Sequence, residues 1–249
     1  MKIIYQRPES LTPATNTYCP GCGHGIIQKL IAEVIDELEL RTKTIAIAPV
    51  GCAVLSYNYF NFDVTEAAHG RAPAVATAIK RLLPNRIVFT YQGDGDLAAI
   101  GTAEIIHAAA RGENISVFFI NNAVYGMTKG QMAPTTIPGQ KTTTTIHGRK
   151  PEVHGYPLRI CELLSSLDGV VYLERTTTSD ISGILSTKKA IKKAFLQQME
   201  NKGMSFVEIL ATCPTNWKKN PLESMKWVKE VMEKYYPVKV YKNPSGTEK

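Results

Sequence analysis

The stretch from residue 86 to residue 120 constrains the fold more than any other. Apolar residues crowd positions 86–91, a Gly93-Asp94-Gly95 turn follows, helical spacing runs through 97–111, and 115–120 is apolar again. A strand, a crossover helix and a second strand imply parallel pairing through a right-handed connection. Comparable units flank this one. Residues 44–49 read as a short buried strand, and 170–174, a helix over about 181–198 and a strand over 205–210 make a further α/β unit. Residues 26–38 carry apolar side chains at helical spacing, and Pro73 suits the first turn of a helix reaching about Leu83, where its missing amide has no partner to lose. The predicted fold class is α/β, a doubly wound parallel sheet with helices on both faces.

The 249 residues are expected to form a single domain. Its irregular parts are an N-terminal arm at 1–18, a Thr/Gly/Pro-rich excursion at 121–157 and a C-terminal tail over about 214–249. An excursion of that length is expected to close over a site or to meet another chain. With 44% apolar and 20% charged residues the composition is that of an ordinary globular protein, which excludes a disordered chain. No run of eighteen apolar residues and no apolar leader is present, so the expected location is the cytoplasm, with no membrane partner. The formal charge of +7 is not packed into one short tract, and no nucleic-acid partner is expected. Residues 202–249 hold nine Lys and five Glu, either a solvated face or a surface for an anionic ligand or acidic partner.

In the turn 91–96 the glycines permit close backbone approach, and amides at a helix N-terminus favour an anion. The next strand ends at Asn121-Asn122, where a parallel neighbour sets another oxygen beside Asp94. Mg²⁺ prefers octahedral oxygen coordination, and Asp94, the Asn122 side chain and the Val124 carbonyl are the expected protein ligands. Asp96 and Asn121 are expected to support them. The alternative is that Asp94 and Asn122 only tie loops through backbone hydrogen bonds.

Five cysteines without a secretory signal point to metal or redox chemistry. Cys19 and Cys22 lie two residues apart in a glycine-rich loop, a spacing shared by zinc, thiol-redox and iron-sulfur sites. Cys52 follows one strand end and Cys213 another, so both can converge on the same sheet edge. Cys161 reads as helix packing.

Taken together, Cys19-Pro20-Gly21-Cys22-Gly23, His69-Gly70-Arg71, Gly93-Asp94-Gly95-Asp96 and the run NNAVYGMTKGQMAPTT at 121–136 resemble the beta subunit of the 2-oxoacid:ferredoxin oxidoreductases, a thiamine diphosphate-binding family. The general likeness extends to about residue 215. It implies that Gly51, Cys52, His69, Gly93, Asp94, Gly95, Asp96, Asn122, Val124, Tyr125, Gly126 and Met127 surround the cofactor, with Asp94, Asn122 and Val124 on Mg²⁺. It further implies a [4Fe-4S] cluster on Cys19, Cys22, Cys52 and Cys213, where a Cys₄ centre alone also suits zinc.

His69, Arg71 and Lys129 are the catalytic candidates, though His69 and Arg71 also suit a structural pair. Lys129 stands where similar proteins often have glycine; it reaches a substrate carboxylate, reaches coenzyme A, or faces solvent. The acid that activates the cofactor is expected on a partner alpha subunit, so neither Glu66 nor Glu104 is assigned that role.

The implied activity is oxidative decarboxylation of a 2-oxoacid to an acyl-CoA and CO₂ with reduction of ferredoxin, in a complex that can include gamma and ferredoxin-like delta subunits. Residues 56–62 and 131–134 look closest to enzymes of branched-chain 2-oxoacids such as 3-methyl-2-oxobutanoate, with 2-oxoglutarate or pyruvate as alternatives. The aromatic residues of 56–62 suit an acyl pocket, and equally a core or subunit interface. Other readings are a non-oxidative thiamine-dependent decarboxylase, which has no use for four converging cysteines, and a non-catalytic iron-sulfur scaffold.

Overall fold

The computed structural model describes residues 6–244, so the outermost parts of the arm and tail lie outside the described residues. Its strands are β1 (Thr44–Pro49), β2 (Asp63–Ala67), β3 (Ile87–Gly93), β4 (Ser116–Asn121), β5 (Val170–Thr177), β6 (Met204–Leu210) and β7 (Lys239–Lys242). They form one sheet in the order β2-β1-β3-β4-β6-β5-β7. Every pairing is parallel except that of β7 with β5. The helices are α1 (Gly23–Glu37), α2 (Ala72–Leu82), α3 (Thr102–Ala110), α4 (Pro151–His154), α5 (Ile160–Leu164), α6 (Ile181–Met199), α7 (Pro214–Trp217), α8 (Pro221–Trp227) and α9 (Glu233–Tyr235).

Apolar side chains of α1 and α6 pack with Phe89, Tyr91, Phe118 and Ile120 on one face of the sheet. Those of α2, α3 and α5 pack with Ile47, Val88, Val117 and Phe119 on the other. The doubly wound architecture follows. Strands β4 and β6 are buried along their whole length, which is why their sequences are mostly apolar, broken in β6 by Ser205 and Glu208. Strand β2 at one edge and β7 at the other are largely exposed and carry no such run. Phe60 belongs to the core, where it stacks on Phe62 and meets Phe89 edge-on, while Tyr57 is exposed. The aromatic segment therefore divides between packing and surface.

The helix expected over 97–111 is divided. A π-helical turn at Asp96–Ile100 ends at Gly101, and α3 begins beyond it. The cause is a backbone crossing. Gly70 has φ +77°, and a Cβ there would lie 2.7 Å from the Gly101 nitrogen; a Cβ on Gly101 would lie 2.8 Å from the Gly70 oxygen. Gly70→Ala is expected to destabilise the fold by about 3 kcal/mol, combining left-handed strain with overpacking. Gly139→Ala, at φ +80° with nothing within 4 Å of the new Cβ, isolates the strain and should cost about 1–2 kcal/mol. Denaturant unfolding of the two variants measures the difference.

The excursion at 121–157 is organised by hydrogen bonds more than by apolar packing. Arg149, 5% exposed, donates to the carbonyls of Thr136 at 2.7 Å, Pro134 at 2.9 Å and Gly155 at 2.9 Å. Arg149→Met is expected to cost about 3 kcal/mol because buried carbonyls lose a charged donor. Hydrogen exchange should quicken within 133–155 and little elsewhere.

Residues 214–244 fold back onto the sheet. Val228, Met232 and Tyr236 form a small core with Ala123, Ile137 and Leu210, flanked by Trp217 and Trp227. The C-terminal segment thereby reaches the loop that follows β4. Lys229 of this segment pairs with Asp180 and Glu233 on the surface.

Candidate cofactor site

Between β1 and β3 the strand order reverses direction: the chain leaves β1 for β2 on one side and returns to β3 on the other. In open parallel sheets this switch point leaves a crevice beyond the carboxyl ends of the strands. A cavity of about 300 Å³ occupies it, lined by His24, Gly51, Cys52, His69, the turn 93–96, Asn122 and residues 124–128.

Asp94 sits at the cavity's inner wall, 2% exposed. Its Oδ1 accepts from the Asn122 amide at 3.0 Å, and its Oδ2 accepts from the Thr135 hydroxyl. Burial raises the carboxyl to about 7, with no lysine or arginine among the causes of its shift. A buried carboxyl held only by neutral donors fits a cation site, because a divalent ion supplies the missing compensation. Asn122 and Val124 line the same cavity; Asn122 Oδ1 accepts from the Val124 amide at 3.2 Å. Trp217 Nε1 donates to the Asn122 carbonyl at 3.2 Å and pins the loop from outside.

The two glycines of the turn serve different purposes. A Cβ on Gly95 would meet the Tyr125 ring at 3.0 Å, whereas one on Gly93 would meet nothing within 4 Å. Gly95 is thus needed for packing against Tyr125. The absent side chain of Gly93 leaves room on the cavity wall for a diphosphate to approach the backbone.

Asp96 faces away from Asp94 and holds His69. Its Oδ1 accepts from His69 Nδ1 at 2.7 Å and from the Gly70 amide at 2.7 Å, and its Oδ2 accepts from Gln92 Nε2 at 2.6 Å. With Nδ1 donating to the carboxylate, a neutral His69 ring keeps Nε2 as an acceptor. Arg71 takes a different course. It pairs with Glu104 on α3, is about half exposed and does not line the cavity. Lys129 is exposed, with φ +79°, and does not line it either. That left-handed backbone accounts for the ease with which glycine fits the position.

Cys19, Cys22, Cys52 and Cys213 lie near enough to influence one another's thiols, with Cys52 on the cavity wall. A Cβ on Gly126 would lie 3.3 Å from Cys52 Sγ and 3.8 Å from Cys213 Sγ. The loop carrying Cys19 and Cys22 is docked on the segment after β6. The Gly23 amide donates to the Thr212 carbonyl at 3.2 Å, and the Thr212 hydroxyl donates to the Gly21 carbonyl at 2.6 Å. Burial pushes the Cys22 thiol up to about 12, and the nearby Cys213, Cys52 and Cys19 add to the rise. Burial likewise pushes Cys52 up to about 11. The His24 backbone amide bonds to Cys22, and Asn216 Nδ2 donates to Cys213 Sγ at 3.2 Å. Cys161 is fully buried in the core on the far face.

Among the described residues no three His, Cys, Asp or Glu side chains are grouped to hold one metal ion.

Several contributors were not legible in advance. His24, 2% exposed, stacks on Tyr18 at 5.0 Å and shares a 2.7 Å hydrogen bond with Tyr91. Burial lowers it to about 4, so it lines the cavity as a neutral ring. Its place two residues after Cys22 was the only signal. Thr135 lay within the run 121–136 without being singled out, and Asn216 and Trp217, neighbours on α7, had no signal because they reach the site from a distant segment.

A crevice at the switch point of a parallel sheet, with a glycine turn, a buried carboxylate and an amide beside it, defines a diphosphate-binding α/β domain. Residues 49–209 match the family described as "Thiamine pyrophosphate enzyme, C-terminal TPP binding domain". The ketoisovalerate oxidoreductase subunit VorA of Methanothermobacter marburgensis is 48% identical over 98% of this chain and 51% of its own length. The 2-oxoglutarate synthase subunit KorB of Methanocaldococcus jannaschii is 35% identical over 92% of this chain and 81% of its own. A solved 2-oxoglutarate:ferredoxin oxidoreductase from Magnetococcus marinus, with 2-oxoglutarate, coenzyme A and succinyl-CoA bound, superposes with a TM-score of 0.76 at 26% identity. The match covers 99% of this chain and 88% of that one. The chain belongs to the thiamine pyrophosphate-binding subunits of the 2-oxoacid:ferredoxin oxidoreductase family. It spans about half the length of the VorA relatives it matches. No helix among the described residues is long and apolar enough to cross a membrane.

Proposed function

We propose that this chain is the thiamine diphosphate-binding beta subunit of a cytoplasmic complex that oxidatively decarboxylates a branched-chain 2-oxoacid, such as 3-methyl-2-oxobutanoate, to an acyl-CoA and CO₂ while reducing ferredoxin. The observation that carries this reading is convergence: Asp94, Asn122, Val124 and Cys52 line a single cavity, and the sulfurs of Cys52 and Cys213 lie beside Gly126 of the same wall. A decarboxylase that released an aldehyde would need only the first three. The branched-chain substrate is favoured by the 48% identity to a subunit named for ketoisovalerate. The 2-oxoglutarate reading is second, supported by relatives named for that acid and by Lys129, a cation next in sequence to Thr128 of the cavity wall.

When bound, thiamine diphosphate would supply the carbon nucleophile and the electron sink for decarboxylation. Asp94, Asn122 Oδ1 and the Val124 carbonyl would hold Mg²⁺, and the amides of the 93–96 turn would face the diphosphate. Asp96 fixes the His69 ring so that its Nε2 can accept a proton at the cavity. Ile100 and Met127 wall the cavity with apolar surface that limits water. Cys19, Cys22, Cys52 and Cys213 would ligate a [4Fe-4S] cluster, with the Cys22 and Cys213 amide contacts favouring thiolate. The acid that activates the cofactor would come from a partner alpha subunit. Gamma and ferredoxin-like delta subunits would complete the electron path.

The test is anaerobic purification of the intact complex and assay of ferredoxin reduction driven by each 2-oxoacid, with and without coenzyme A. Reduction that requires coenzyme A and is fastest with 3-methyl-2-oxobutanoate is expected. Aldehyde release without ferredoxin reduction, or full activity from the isolated chain, would overturn the proposal.

A further inference from the structure

One face of the sheet changes character toward the carboxyl ends of β4, β6 and β5. Val117, Phe119, Phe206 and Leu173 form its apolar rows. Glu208, in register with Phe119 on one side and Arg175 on the other, interrupts them, and Asn121 follows Phe119 on the same face. Glu208, Arg175 and Asn121 are all fully buried.

These three side chains are joined in one direction only. Arg175 Nε donates to Glu208 Oε2 at 2.9 Å, and its terminal nitrogens donate to Glu162 at 2.6 and 3.0 Å. The other Glu208 oxygen, Oε1, accepts from Asn121 Nδ2 at 2.7 Å. A carboxylate beside arginine only accepts, so Asn121 must turn its amide nitrogen to Glu208 and its oxygen away. That oxygen accepts from the Ala123 amide at 3.1 Å, and the same amide also leans on Asp94. Ala123 is held at φ +59°, a left-handed conformation rare for a residue with a Cβ. The residues on either side of it, Asn122 and Val124, line the cavity.

We propose that Glu208, braced by Arg175, is a positioning residue for the cofactor loop: it sets the orientation of the Asn121 amide, which holds the left-handed turn at Ala123 and so aims Asn122 and the Val124 carbonyl into the cavity. That these two aim at a metal diphosphate rests on the function proposed above; the control of the turn by Glu208 does not. A buried ion pair adds little stability over apolar side chains of similar size, because desolvation offsets its attraction. An apolar pair cannot orient an amide.

Three forms of the chain, purified within its complex and freed of cofactor, test this: wild type, Glu208→Gln, and the double variant Glu208→Leu with Arg175→Met. The readouts are hydrogen exchange of the peptide spanning 121–126, the Kd for Mg²⁺-thiamine diphosphate by calorimetry, and the thermal midpoint as a check of folding. The amide introduced by E208Q has one oxygen for two donors; Arg175 keeps Glu162 as an acceptor, so the oxygen goes to Asn121 and this variant should exchange within about threefold of wild type. The double variant removes both charges from the sheet face, and Glu162, which loses Arg175, is a third exposed and keeps the Tyr241 hydroxyl, so the variant should remain folded, with exchange at least tenfold faster and Kd raised at least tenfold. Wild-type exchange in the folded double variant overturns the positioning role. Should the double variant not fold, exchange in E208Q as fast as in an Asn121→Ala control overturns it instead. Faster exchange with an unchanged Kd leaves the positioning role standing and overturns the assignment of Asn122 and Val124 to the metal diphosphate.

Discussion

Asp94→Asn is expected to weaken binding of Mg²⁺-thiamine diphosphate at least 100-fold, a loss of about 3 kcal/mol. The substitution keeps the shape of the side chain and removes its charge. In the protein one carboxyl oxygen faces the Asn122 amide and the other the Thr135 hydroxyl, so both positions require acceptors. An asparagine places an NH₂ group against one of those donors, in a site too buried for water to relieve the clash. A Mg²⁺ ion held there would then lose the carboxylate proposed for it.

The cofactor-free variant should keep its fold. The Asp94 carboxyl is raised by burial from its usual value to about 7. A raised carboxyl contributes stability that is present below the unfolded value and is lost as pH rises through about 7. Asp94→Asn should therefore flatten the decline in cofactor-free stability between about pH 4 and 7. In the wild-type chain Mg²⁺ competes with the same proton, so Mg²⁺-dependent cofactor affinity should fall up to tenfold per pH unit below about 7. Calorimetry across that range checks both signs. Full cofactor affinity in Asp94→Asn, with pH-independent binding in wild type, would remove Asp94 from the metal site.

Cys213→Ser is expected to lower iron from about four atoms per chain to below one, with loss of 2-oxoacid-dependent ferredoxin reduction. Cys213 is the cysteine most firmly built into the site: 8% exposed, it follows the segment on which the Cys19-Cys22 loop is docked, and Asn216 donates to its sulfur. A serine oxygen is a poor ligand for a cluster that selects soft thiolates. Cofactor binding should change little, because Asp94, Asn122 and Val124 belong to other segments. Iron analysis and the reduced-state EPR spectrum report the cluster; calorimetry reports the cofactor. Stoichiometric zinc without iron in the wild-type chain, or an intact EPR signal in Cys213→Ser, would exclude the cluster.

The readable features share a physical origin. Strands β3, β4 and β6 lie inside the sheet with both faces covered, so their sequences are predominantly apolar on both faces. The glycine turn and the Cys-x-x-Cys loop place their functional groups within a few bonds of one another, and covalent spacing carries over directly into space. Strands β2 and β7 were not readable because an edge strand facing solvent needs no apolar pattern. The π-helical turn at Asp96–Ile100 was missed for another reason. Helical periodicity passes through it, and the break comes from Gly70 crossing Gly101, a contact between distant segments.

The order of apolar runs and turns, taken alone, determined a parallel α/β sheet; the likeness of the motifs to a known family added the expectation of a diphosphate-type turn at Asp94 and an iron-sulfur loop at Cys19 and Cys22. Strand order and register decided the rest. They bring Thr135 from 41 residues away onto Asp94 and Glu208 from 87 residues away onto Asn121. They also turn His69 toward the cavity while its neighbour Arg71 leaves for Glu104. Local periodicity records which side of an element is buried. It does not record which element lies opposite, and the partners of a buried polar group are chosen by that alone.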